Sequence, residues 1–286
     1  MKQILILSGK GGTGKTTIAS NFINISKAKI FADCDVEAPN LHLISMVKNL
    51  KERENYYGLD KSVIDQEQCL KCGICYDHCK FNAIVYKDNQ YKIDLHLCEG
   101  CGVCNYVCPQ KAISFVKSID GELLLYKDED RAFSTAKLNM GSGNSGLLVT
   151  RVKKNIHELI RKDDLVIIDG PPGIGCPVIA SMSGVNLVLL VAEPSLSGIS
   201  DLKRIIKTAS SFHLKIAVCI NKYDLNKKLT QSIIEYLNIN NYSFVGLISY
   251  DKEIIDYINL GKPLLEGSKP YKEIKKVFDN TISLIS

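Results

Sequence analysis

The chain has 286 residues, of which 45% are hydrophobic and 23% are charged, as is typical of a soluble globular protein. No apolar run approaches the roughly 18 to 20 residues that a membrane span needs, and the apolar run after Lys2 is too short for a secretory signal. The sequence therefore predicts a cytoplasmic protein without a membrane partner. The formal net charge is +5, but no dense basic stretch carries interleaved aromatic residues, so nucleic-acid binding is not predicted.

A glycine-rich loop follows the first apolar run. Residues 4–7 are Ile-Leu-Ile-Leu, which is typical of a buried parallel strand, and a helix is predicted from Thr17. Between them lies the pattern Gly-x4-Gly-Lys-Thr, and the strand before it and the helix after it make this pattern specific. The predicted phosphate-binding loop contains Gly9, Lys10, Gly11, Gly12, Thr13, Gly14, Lys15, Thr16 and Thr17.

Each part of this loop has a chemical task. Glycines allow the tight turn that aims backbone N–H groups at phosphate oxygens, and the helix N-terminus adds partial positive charge. Lys15 is predicted to reach the β- and γ-phosphates, and the Thr16 hydroxyl is predicted to hold Mg²⁺. The sequence thus predicts a nucleotide site with Mg²⁺, and the alternative is a glycine-rich turn without a ligand.

A second lysine, Lys10, lies early in the loop. This arrangement resembles the deviant Walker A motif of the MinD/ParA/Mrp superfamily of P-loop ATPases, in which that lysine crosses to the nucleotide of a partner subunit. The resemblance implies a mostly parallel α/β sheet with helices on both faces, hydrolysis of ATP, and an ATP-sandwiched dimer. The dimer would form with a second copy or with a paralogous ATPase. Taken alone, Lys10 also fits a solvated surface charge.

A second short strand, residues 29–35, ends in carboxylates. Groups that contact ligands lie at the carboxyl ends of the strands in sheets of this kind. Asp35 resembles the switch I aspartate of the superfamily, which lies near the γ-phosphate and the attacking water. Asp33 is the other candidate, since only one of the two can take that role. A turn or helix-capping aspartate is the alternative interpretation.

Residues 61–117 contain an internal repeat with an offset of 29 residues. Each copy carries the spacing C-x2-C-x2-C-x3-C, which is a specific signature of iron–sulfur clusters. Disulfides are not expected in a cytoplasmic chain. Zinc is the other metal that C-x2-C spacing can bind, but the third and fourth cysteines of each run fit four-iron clusters better. The eight cysteines are Cys69, Cys72, Cys75, Cys79, Cys98, Cys101, Cys104 and Cys108.

This segment resembles a two-cluster bacterial ferredoxin, in which the fourth cysteine of each run ligates the other cluster. The resemblance implies two [4Fe–4S] clusters in a small inserted α+β domain. Pro109 follows Cys108 as in the ferredoxin pattern, whereas Lys80 follows Cys79 where proline is usual, which leaves the local backbone geometry open. Cluster one would be held by Cys69, Cys72, Cys75 and Cys108, and cluster two by Cys98, Cys101, Cys104 and Cys79.

The insert would divide the ATPase region in two. The predicted organisation is residues 1–60 and 119–286 for the ATPase domain and residues 61–118 for the ferredoxin domain. Residues 121–126 and 133–138 predict a hairpin that returns the chain to the main domain. The small residues of 141–146 fit close approach to a ligand or a partner subunit, and equally a linker ahead of a helix near Leu147.

A second nucleotide motif lies at residues 164–173. An apolar strand that ends in Asp169 fits a Walker B site, whose carboxylate supports Mg²⁺ directly or through water. Residues 170–175 resemble the switch II loop of the superfamily. At the end of a later strand, Asn221 is implied by the resemblance to contact the adenine. Cys176 lies where the nitrogenase iron protein has a cluster cysteine, but the second cysteine needed is missing, so a thiol without a ligand is predicted.

Three more strands are predicted at residues 186–192, 215–220 and 242–248. A helix that begins near Ser197 should be capped by Ser195 or Ser197. The C-terminal residues 271–278 resemble the basic amphipathic tail of MinD, but acidic residues dilute the basic face, so a helix docked on the sheet is predicted instead.

Three functions fit these features. The first is an ATPase with Lys10, Lys15, Asp35 and Asp169 as catalytic residues that gates electron transfer through two clusters to a redox partner. The second is assembly of an iron–sulfur or metal cofactor, and the third is a positioning or scaffold ATPase with structural or redox-sensing clusters. Assembly carriers usually present a separate C-x2-C pair, whereas the remaining cysteines here are isolated, and positioning needs no low-potential clusters. Electron transfer uses every feature and is the leading hypothesis.

Overall fold

Short apolar runs form the strands and amphipathic segments form the helices of this chain. The computed structural model describes residues 2–44, 47, 49–161 and 164–285. The strands are β1 (Lys2–Ser8), β2 (Ile30–Asp33), β3 (Leu50–Tyr57), β4 (Lys61–Ile64), β5 (Ile84–Lys87), β6 (Gln90–Ile93), β7 (Ile113–Val116), β8 (Ile119–Lys127), β9 (Ala132–Leu138), β10 (Leu165–Pro172), β11 (Leu187–Ala192), β12 (Lys215–Asn221) and β13 (Ser243–Ile248). The helices are α1 (Lys15–Ser26), α2 (Leu41–Ile44), α3 (Ile74–His78), α4 (Val103–Val107), α5 (Ser145–His157), α6 (Cys176–Met182), α7 (Leu196–Ser210), α8 (Lys227–Ile239), α9 (Lys252–Asn259) and α10 (Lys269–Ser283).

Nine strands form one sheet in the order β13-β12-β11-β1-β10-β2-β9-β8-β3. From β13 to β9 every neighbouring pair is parallel, and β8 and β3 extend that edge in antiparallel pairing. The prediction of a mostly parallel α/β sheet is confirmed. Strand β1 lies between β10 and β11 and is parallel to both. The carboxyl ends of these strands therefore lie at the same edge of the sheet, which brings the phosphate loop close to Asp169.

The sheet has an apolar core on each face. In β1, Leu5 and Leu7 belong to one core and Ile4 and Ile6 to the other, as the two-residue period of a strand requires. Helices α5, α6, α7 and α8 contribute buried residues to the first core, and α1 and α10 contribute to the second. Helices therefore cover both faces, as predicted. Helix α7 begins after Ser195, whose side chain accepts a hydrogen bond from the Gly198 amide, which confirms the predicted cap.

The antiparallel edge of the sheet was predicted in part. The hairpin of β8 and β9 is confirmed, with Gly121 paired to Leu138 and Lys127 to Ala132. Strand β3 was not predicted, because its sequence is LKERENYY and only Tyr56 in it is buried. Charged side chains on an edge strand hinder pairing with another chain, so this composition suits the place where the sheet ends.

The repeated segment lies outside this sheet and contains two small antiparallel pairs. Strand β4 pairs with β7, and β5 pairs with β6. The short helices α3 and α4 contain five residues each and contact one another. Ile84 and Ile113, which occupy equivalent positions in the two repeats, form a small core with Cys75. The strands of this segment therefore pair only with one another and not with the nine-stranded sheet, and the segment consists of two similar α+β halves.

The C-terminal helix packs against the sheet, as predicted. Ile274 and Val277 of α10 are fully buried, and α10 contacts β13 and α1. None of the helices in the described part of the chain combines the length and the apolar character that a bilayer span requires.

Candidate functional site

The phosphate-binding loop joins β1 to α1 at the carboxyl edge of the sheet. Gly14 precedes the first turn of α1 with φ of 94°, a left-handed conformation that favours glycine. A Cβ at Gly14 would collide with the Nδ2 atom of Asn221. Lys15 begins the helix and is buried, and no side chain caps its N-terminus. The N–H groups of the first turn are thus left for a ligand, as an anion site at a helix N-terminus requires.

Asn221, at the end of β12, holds the loop in place. Its Nδ2 atom donates a hydrogen bond of 2.8 Å to the carbonyl oxygen of Thr13, and its Oδ1 atom accepts one from the Lys222 amide. Lys222, which the sequence analysis did not select, donates from Nζ to the Gly12 carbonyl at 3.0 Å. Sequence reasoning missed Lys222 because only the β12 pairing with β11 brings it to the loop.

A cleft of about 660 Å³, partly open to solvent, lies next to the loop. Gly12, Gly14, Thr17 and Asn221 line one side of it, and residues 248–258 line the other with several isoleucines. An apolar wall with a few polar groups opposite it suits a planar base. Asn221, the residue that the family resemblance implies for adenine contact, lies on the side of the cleft that faces this wall.

Three aspartates lie in or just after the neighbouring strands β2 and β10. Asp33 and Asp169 are register partners in these strands and are both buried. Thr16 donates a side-chain hydrogen bond to Asp169, whose Oδ1 atom has no hydrogen-bond partner among the described residues. A buried carboxylate oxygen without a partner is costly unless a cation or another donor meets it. The pair Thr16 and Asp169 therefore has the donor set that Mg²⁺ prefers.

The structure separates the roles of Asp33 and Asp35. The Asp33 carboxylate accepts hydrogen bonds from the backbone amides of Asp35, Asn40 and Leu41 at 2.9–3.0 Å and so shapes the loop after β2. Asp35 is only half-buried and interacts electrostatically with Lys15. The Asp33 carboxylate is bound by three backbone amides, whereas the Asp35 carboxylate has a backbone hydrogen bond from Ala38 and lies near Lys15. Of the two candidates for positioning a water molecule, Asp35 is thus the less occupied.

Burial changes the acidity of these carboxyl groups. Desolvation raises the pKa of Asp33 to about 7, although three backbone amides oppose the shift. Burial also raises the pKa of Asp169 well above its ordinary value, and the nearby charge of Asp33 adds to the effect, while Lys15 opposes it. Burial raises the pKa of Asp35 as well. A cluster of buried carboxyl groups with raised pKa values is typical of a site that receives a cation.

Lys10 turns toward its own chain. Its Nζ atom lies 2.5 Å from the Oε1 atom of Glu193, and it donates hydrogen bonds to Ser195 and Ser197. Burial would raise the pKa of Glu193, but Lys10 and then Lys222 hold it below its ordinary value. Glu193 was not selected from the sequence, because nothing local marks a residue after β11 as a partner of Lys10.

The eight repeated cysteines line two cavities, four in each. Site one, about 370 Å³ of partly open space, is lined by the predicted cluster-one set, Cys69, Cys72, Cys75 and Cys108. Site two, about 330 Å³, is lined by the predicted cluster-two set, Cys79, Cys98, Cys101 and Cys104. In the described part of the chain no group of three His, Cys, Asp or Glu side chains is arranged to hold a metal ion.

The two cavities are built from equivalent positions of the repeat. Adding the offset of 29 residues converts Ile64 of site one into Ile93 of site two, and Gly73 into Gly102. The two sites differ at two of these positions. Leu70 of site one corresponds to Glu99 of site two, and Tyr91 of site one corresponds to Ser62 of site two. The Ser62 hydroxyl lies 3.3 Å from the Cys104 sulfur.

The other cysteines lie apart from these cavities. Cys34 and Cys219 are fully buried, and Cys176 is exposed at the start of α6. Burial raises the pKa of Cys219 to about 12, so its thiol stays protonated.

A glycine loop between strand and helix, a second loop lysine, and aspartates at adjacent strand ends define a P-loop nucleotide-binding protein. Residues 4–264 match the family described as CobQ/CobB/MinD/ParA nucleotide binding domain. The chain belongs to this family. Membership supports ATP binding and ATPase activity.

Known relatives cover most of the chain. It is 36% identical over 228 residues to uncharacterized protein MJ0578 of Methanocaldococcus jannaschii, covering 78% of this chain and 79% of that protein. It is 34% identical to uncharacterized ATP-binding protein MJ0823 of the same organism, covering 98% of each chain. Septum site-determining protein MinD of Synechocystis sp. is 22% identical, covering 93% of this chain and 82% of that protein.

Solved structures share the fold. MinD of Pyrococcus horikoshii OT3, complexed with Mg-ADP, has a TM-score of 0.60 at 18% identity and covers 100% of this chain and 97% of that chain. The MinC:MinD complex of Aquifex aeolicus has a TM-score of 0.58 at 18% identity, with coverage of 99% and 96%. At these identities the likeness supports the fold alone.

Proposed function

We propose that the protein is an Mg²⁺-dependent ATPase that couples ATP-driven dimer switching to electron transfer through two [4Fe–4S] clusters. The observation that carries this proposal is the sorting of eight cysteines into two cavities of four, in the same chain as a P-loop site. We also propose the division into residues 1–60, 61–118 and 119–286, with the middle part as a ferredoxin-like domain. A redox partner protein would donate or accept the electrons.

The identity and sorting of the cysteines support such clusters, although these cysteines, all within the described residues, are not arranged around a metal ion. Each cavity combines three cysteines of one run with the fourth cysteine of the other run, which is the ligand pattern of two-cluster ferredoxins. The thiols lie close enough to influence one another. Burial raises the pKa of Cys75, and the neighbouring thiols Cys104, Cys69 and Cys108 raise it further. Clusters of this kind, when bound, carry one electron each between a reduced donor and an oxidised acceptor.

The P-loop residues would perform the hydrolysis of ATP to ADP and phosphate. Lys15 and the loop amides would bind the phosphates, and Thr16 with Asp169 would hold Mg²⁺. Asp35, whose carboxylate is half-buried and lies near Lys15, would orient the attacking water. Lys10 would leave Glu193 and complete the site of a partner subunit.

The partner subunit would be a second copy or a paralogous ATPase. Two large apolar side chains near strand ends are strongly exposed: Met140 after β9 at 98% and Leu196 after β11 at 78%. Exposed apolar side chains of this kind mark surfaces that another protein covers. One of the similar solved structures is a complex of MinD with MinC. This supports the proposal that the present chain also binds a partner protein.

One anaerobic experiment tests the proposal. The full chain is loaded with iron and sulfide, and the cluster potentials are measured with and without MgATP, together with the rate at which an oxidised acceptor such as a viologen takes electrons. We expect about eight iron atoms per chain, potentials that shift with nucleotide, and faster transfer during hydrolysis. Potentials and rates that ignore MgATP would overturn the gating.

A matched pair of variants tests the cluster assignment. Cys72→Ser should lower the iron content by about half, because one of two four-iron clusters loses a ligand. Cys176→Ser, which alters an exposed cysteine outside both cavities, should leave the iron content unchanged. Equal iron loss in both variants would contradict the assignment.

A second candidate is a positioning or scaffold ATPase in which the clusters are structural or sense redox state. The relatives named septum site-determining protein favour it, since one of them, MinD of Thermotoga maritima, is 28% identical and covers 97% of this chain. Nucleotide-dependent dimerisation without nucleotide-dependent potentials would favour this candidate. Transfer of iron to an apo-protein would instead favour cofactor assembly.

A further inference from the structure

Site two lies against the ATPase part of the chain. The loop 98–101 contains Gly100, with φ of 68°, and a Cβ there would lie 2.7 Å from the Asp60 carbonyl oxygen. Lys61 donates from Nζ to the carbonyl oxygen of Cys98 at 2.6 Å and is buried beside Asp120. Asp60, Lys61 and Asp120 are the points where the chain enters and leaves the repeated segment, so this loop is fixed at its base.

Glu99 makes a contact that leads away from site two. It lines the site-two cavity, and its carboxylate lies against Gly143, so close that a Cβ on Gly143 would collide with it. We define residues 139–144 as the bridging loop. The bridging loop is also held by Asp120, which accepts hydrogen bonds from Asn139 and Ser142.

The bridging loop leads to the switch II segment. Gly146, in the first turn of α5, packs on the backbone of Cys176, and a Cβ there would lie 3.3 Å from Cys176. Helices α5 and α6 pack along one another. Cys176 begins α6 directly after residues 169–175, which contain Asp169. The contacts of Gly143 with Glu99 and of Gly146 with Cys176 therefore connect Glu99 with the nucleotide site.

The matching position of site one has no such group. Adding the repeat offset places Glu99 opposite Leu70, which lines the site-one cavity with an apolar side chain. The two sites thus share their cysteines and differ in a charge that only site two carries at this position. A carboxylate near a cluster disfavours adding an electron to it, and net charge near the cluster is one of the factors that set its potential.

We infer that Glu99 is the residue through which the nucleotide state changes the potential of the site-two cluster. The inference rests on the proposed function and deepens it, because it names which cluster responds and by which side chain. When residues 169–176 move with nucleotide, α5 and the bridging loop move with them, and the Glu99 carboxylate changes its distance from site two. Site one has Leu70 at this position and does not respond.

The test compares Glu99→Gln with Leu70→Gln in the cluster-loaded full chain. Anaerobic titrations followed by electron paramagnetic resonance give both potentials, without nucleotide and with MgATP, and Cys72→Ser and Cys101→Ser assign them to sites. Glu99→Gln should raise the site-two potential by about 59 mV, a tenfold change in the oxidised to reduced ratio, and should abolish its response to MgATP. Leu70→Gln should leave that response intact.

Gly143→Ala tests the contact while it keeps the charge. The φ of Gly143 is not left-handed, so alanine fits the backbone and its Cβ displaces only the Glu99 carboxylate. This variant should lose most of the MgATP response, and the double variant Gly143→Ala/Glu99→Gln should lose no more than Glu99→Gln does. A wild-type response that persists in Glu99→Gln overturns this inference alone. A wild-type protein whose potentials ignore MgATP overturns the gating and this inference together.

Discussion

The ammonium group of Lys10 lies 2.5 Å from a carboxylate oxygen of Glu193 in the same chain. Ser195 and Ser197 accept hydrogen bonds from this ammonium at 3.3 and 3.0 Å, and Lys222 approaches the second oxygen of Glu193 at 3.7 Å. These contacts hold Lys10 beside its own loop. The proposed dimer needs the same ammonium at the nucleotide of the partner, so dimer formation must break the ion pair with Glu193.

Replacing Glu193 with Gln should therefore strengthen the ATP-dependent dimer. An ion pair between partly exposed groups is worth roughly 0.2–1 kcal/mol, and a homodimer breaks two of them, so their loss in the monomers should tighten association by up to about 30-fold. Sedimentation velocity with a slowly hydrolysed ATP analogue measures the dissociation constant. Lys10→Ala is the opposing control and should weaken the dimer. A Glu193→Gln dimer that is no tighter than the wild type would show that this contact does not oppose association.

The phosphate loop contains a matched pair of glycines for a stability test. Gly14→Ala should lower the melting temperature by roughly 2–8 °C, because a left-handed φ costs an ordinary residue about 1–3 kcal/mol and its Cβ meets Asn221. Gly11 has open space around its Cβ position and no left-handed φ, so Gly11→Ala should leave the melting temperature within about 1 °C. Calorimetry of the apo-protein compares them. Similar melting points would mean that Asn221 does not brace the loop.

The buried carboxyl group of Asp33 should make stability depend on pH. Its pKa is about 7 in the folded chain against an ordinary value of 3.8, so the folded state holds a proton that the unfolded state has lost between these values. Stability from this group is fully present below about pH 4 and is lost as the pH rises through about 7, with a slope approaching 1.4 kcal/mol per pH unit.

Asp33→Asn is the matched control for this dependence, because it stays neutral at every pH. Urea unfolding of the apo-protein at pH 4.5, 6 and 7.5 should show that the free-energy difference between variant and wild type moves in favour of the variant as the pH rises. Acidic groups that lie away from Asp33 act equally in both proteins and cancel. Burial also raises the pKa of Asp169. The free energy of unfolding of the variant should therefore still fall as the pH rises, but less steeply than that of the wild type. Parallel curves for the two proteins would contradict the assignment to Asp33.

Local patterns in the sequence predicted the parallel strands, the phosphate loop and the hairpin after the insert. Such features depend on residues close in the chain: the apolar period of β1, the glycines up to Gly14, and Ser195 as the cap of α7. Strand β3 escaped prediction, since an edge strand with one buried side chain shows no apolar alternation. Its pairing with β8 decides its structure.

Contacts between residues that are far apart in the chain could not be predicted from local patterns. Glu193 meets Lys10 across 183 residues, and Asn221 braces Thr13 across 208 residues. Asp35 was preferred to Asp33 from the family resemblance, and only the fold shows that three backbone amides bind Asp33. The cysteines were more informative, because the resemblance to two-cluster ferredoxins implied two sets of four, and the same two sets line the two cavities.

Two charged residues at the base of the repeated segment are buried together. Lys61 and Asp120 are each 2% exposed, and their charged atoms lie 3.9 Å apart. The Oδ2 atom of Asp120 has no hydrogen-bond partner within the described residues. Lys61→Met should lower the free energy of unfolding by about 3–5 kcal/mol, because it leaves the buried Asp120 charge without compensation.

The double variant Lys61→Met/Asp120→Leu distinguishes a paired charge from a merely large side chain. It should recover part of the loss, since no unpaired charge remains, and the coupling energy should be about 1–3 kcal/mol. Lys275 and Asp279 form an exposed pair at 3.0 Å, and Lys275→Met should cost less than about 0.5 kcal/mol. Urea unfolding of the apo-protein measures all four proteins. Additive losses in the double variant would mean that each side chain is needed for its own packing, and that the pair as such does not fix the base of the segment.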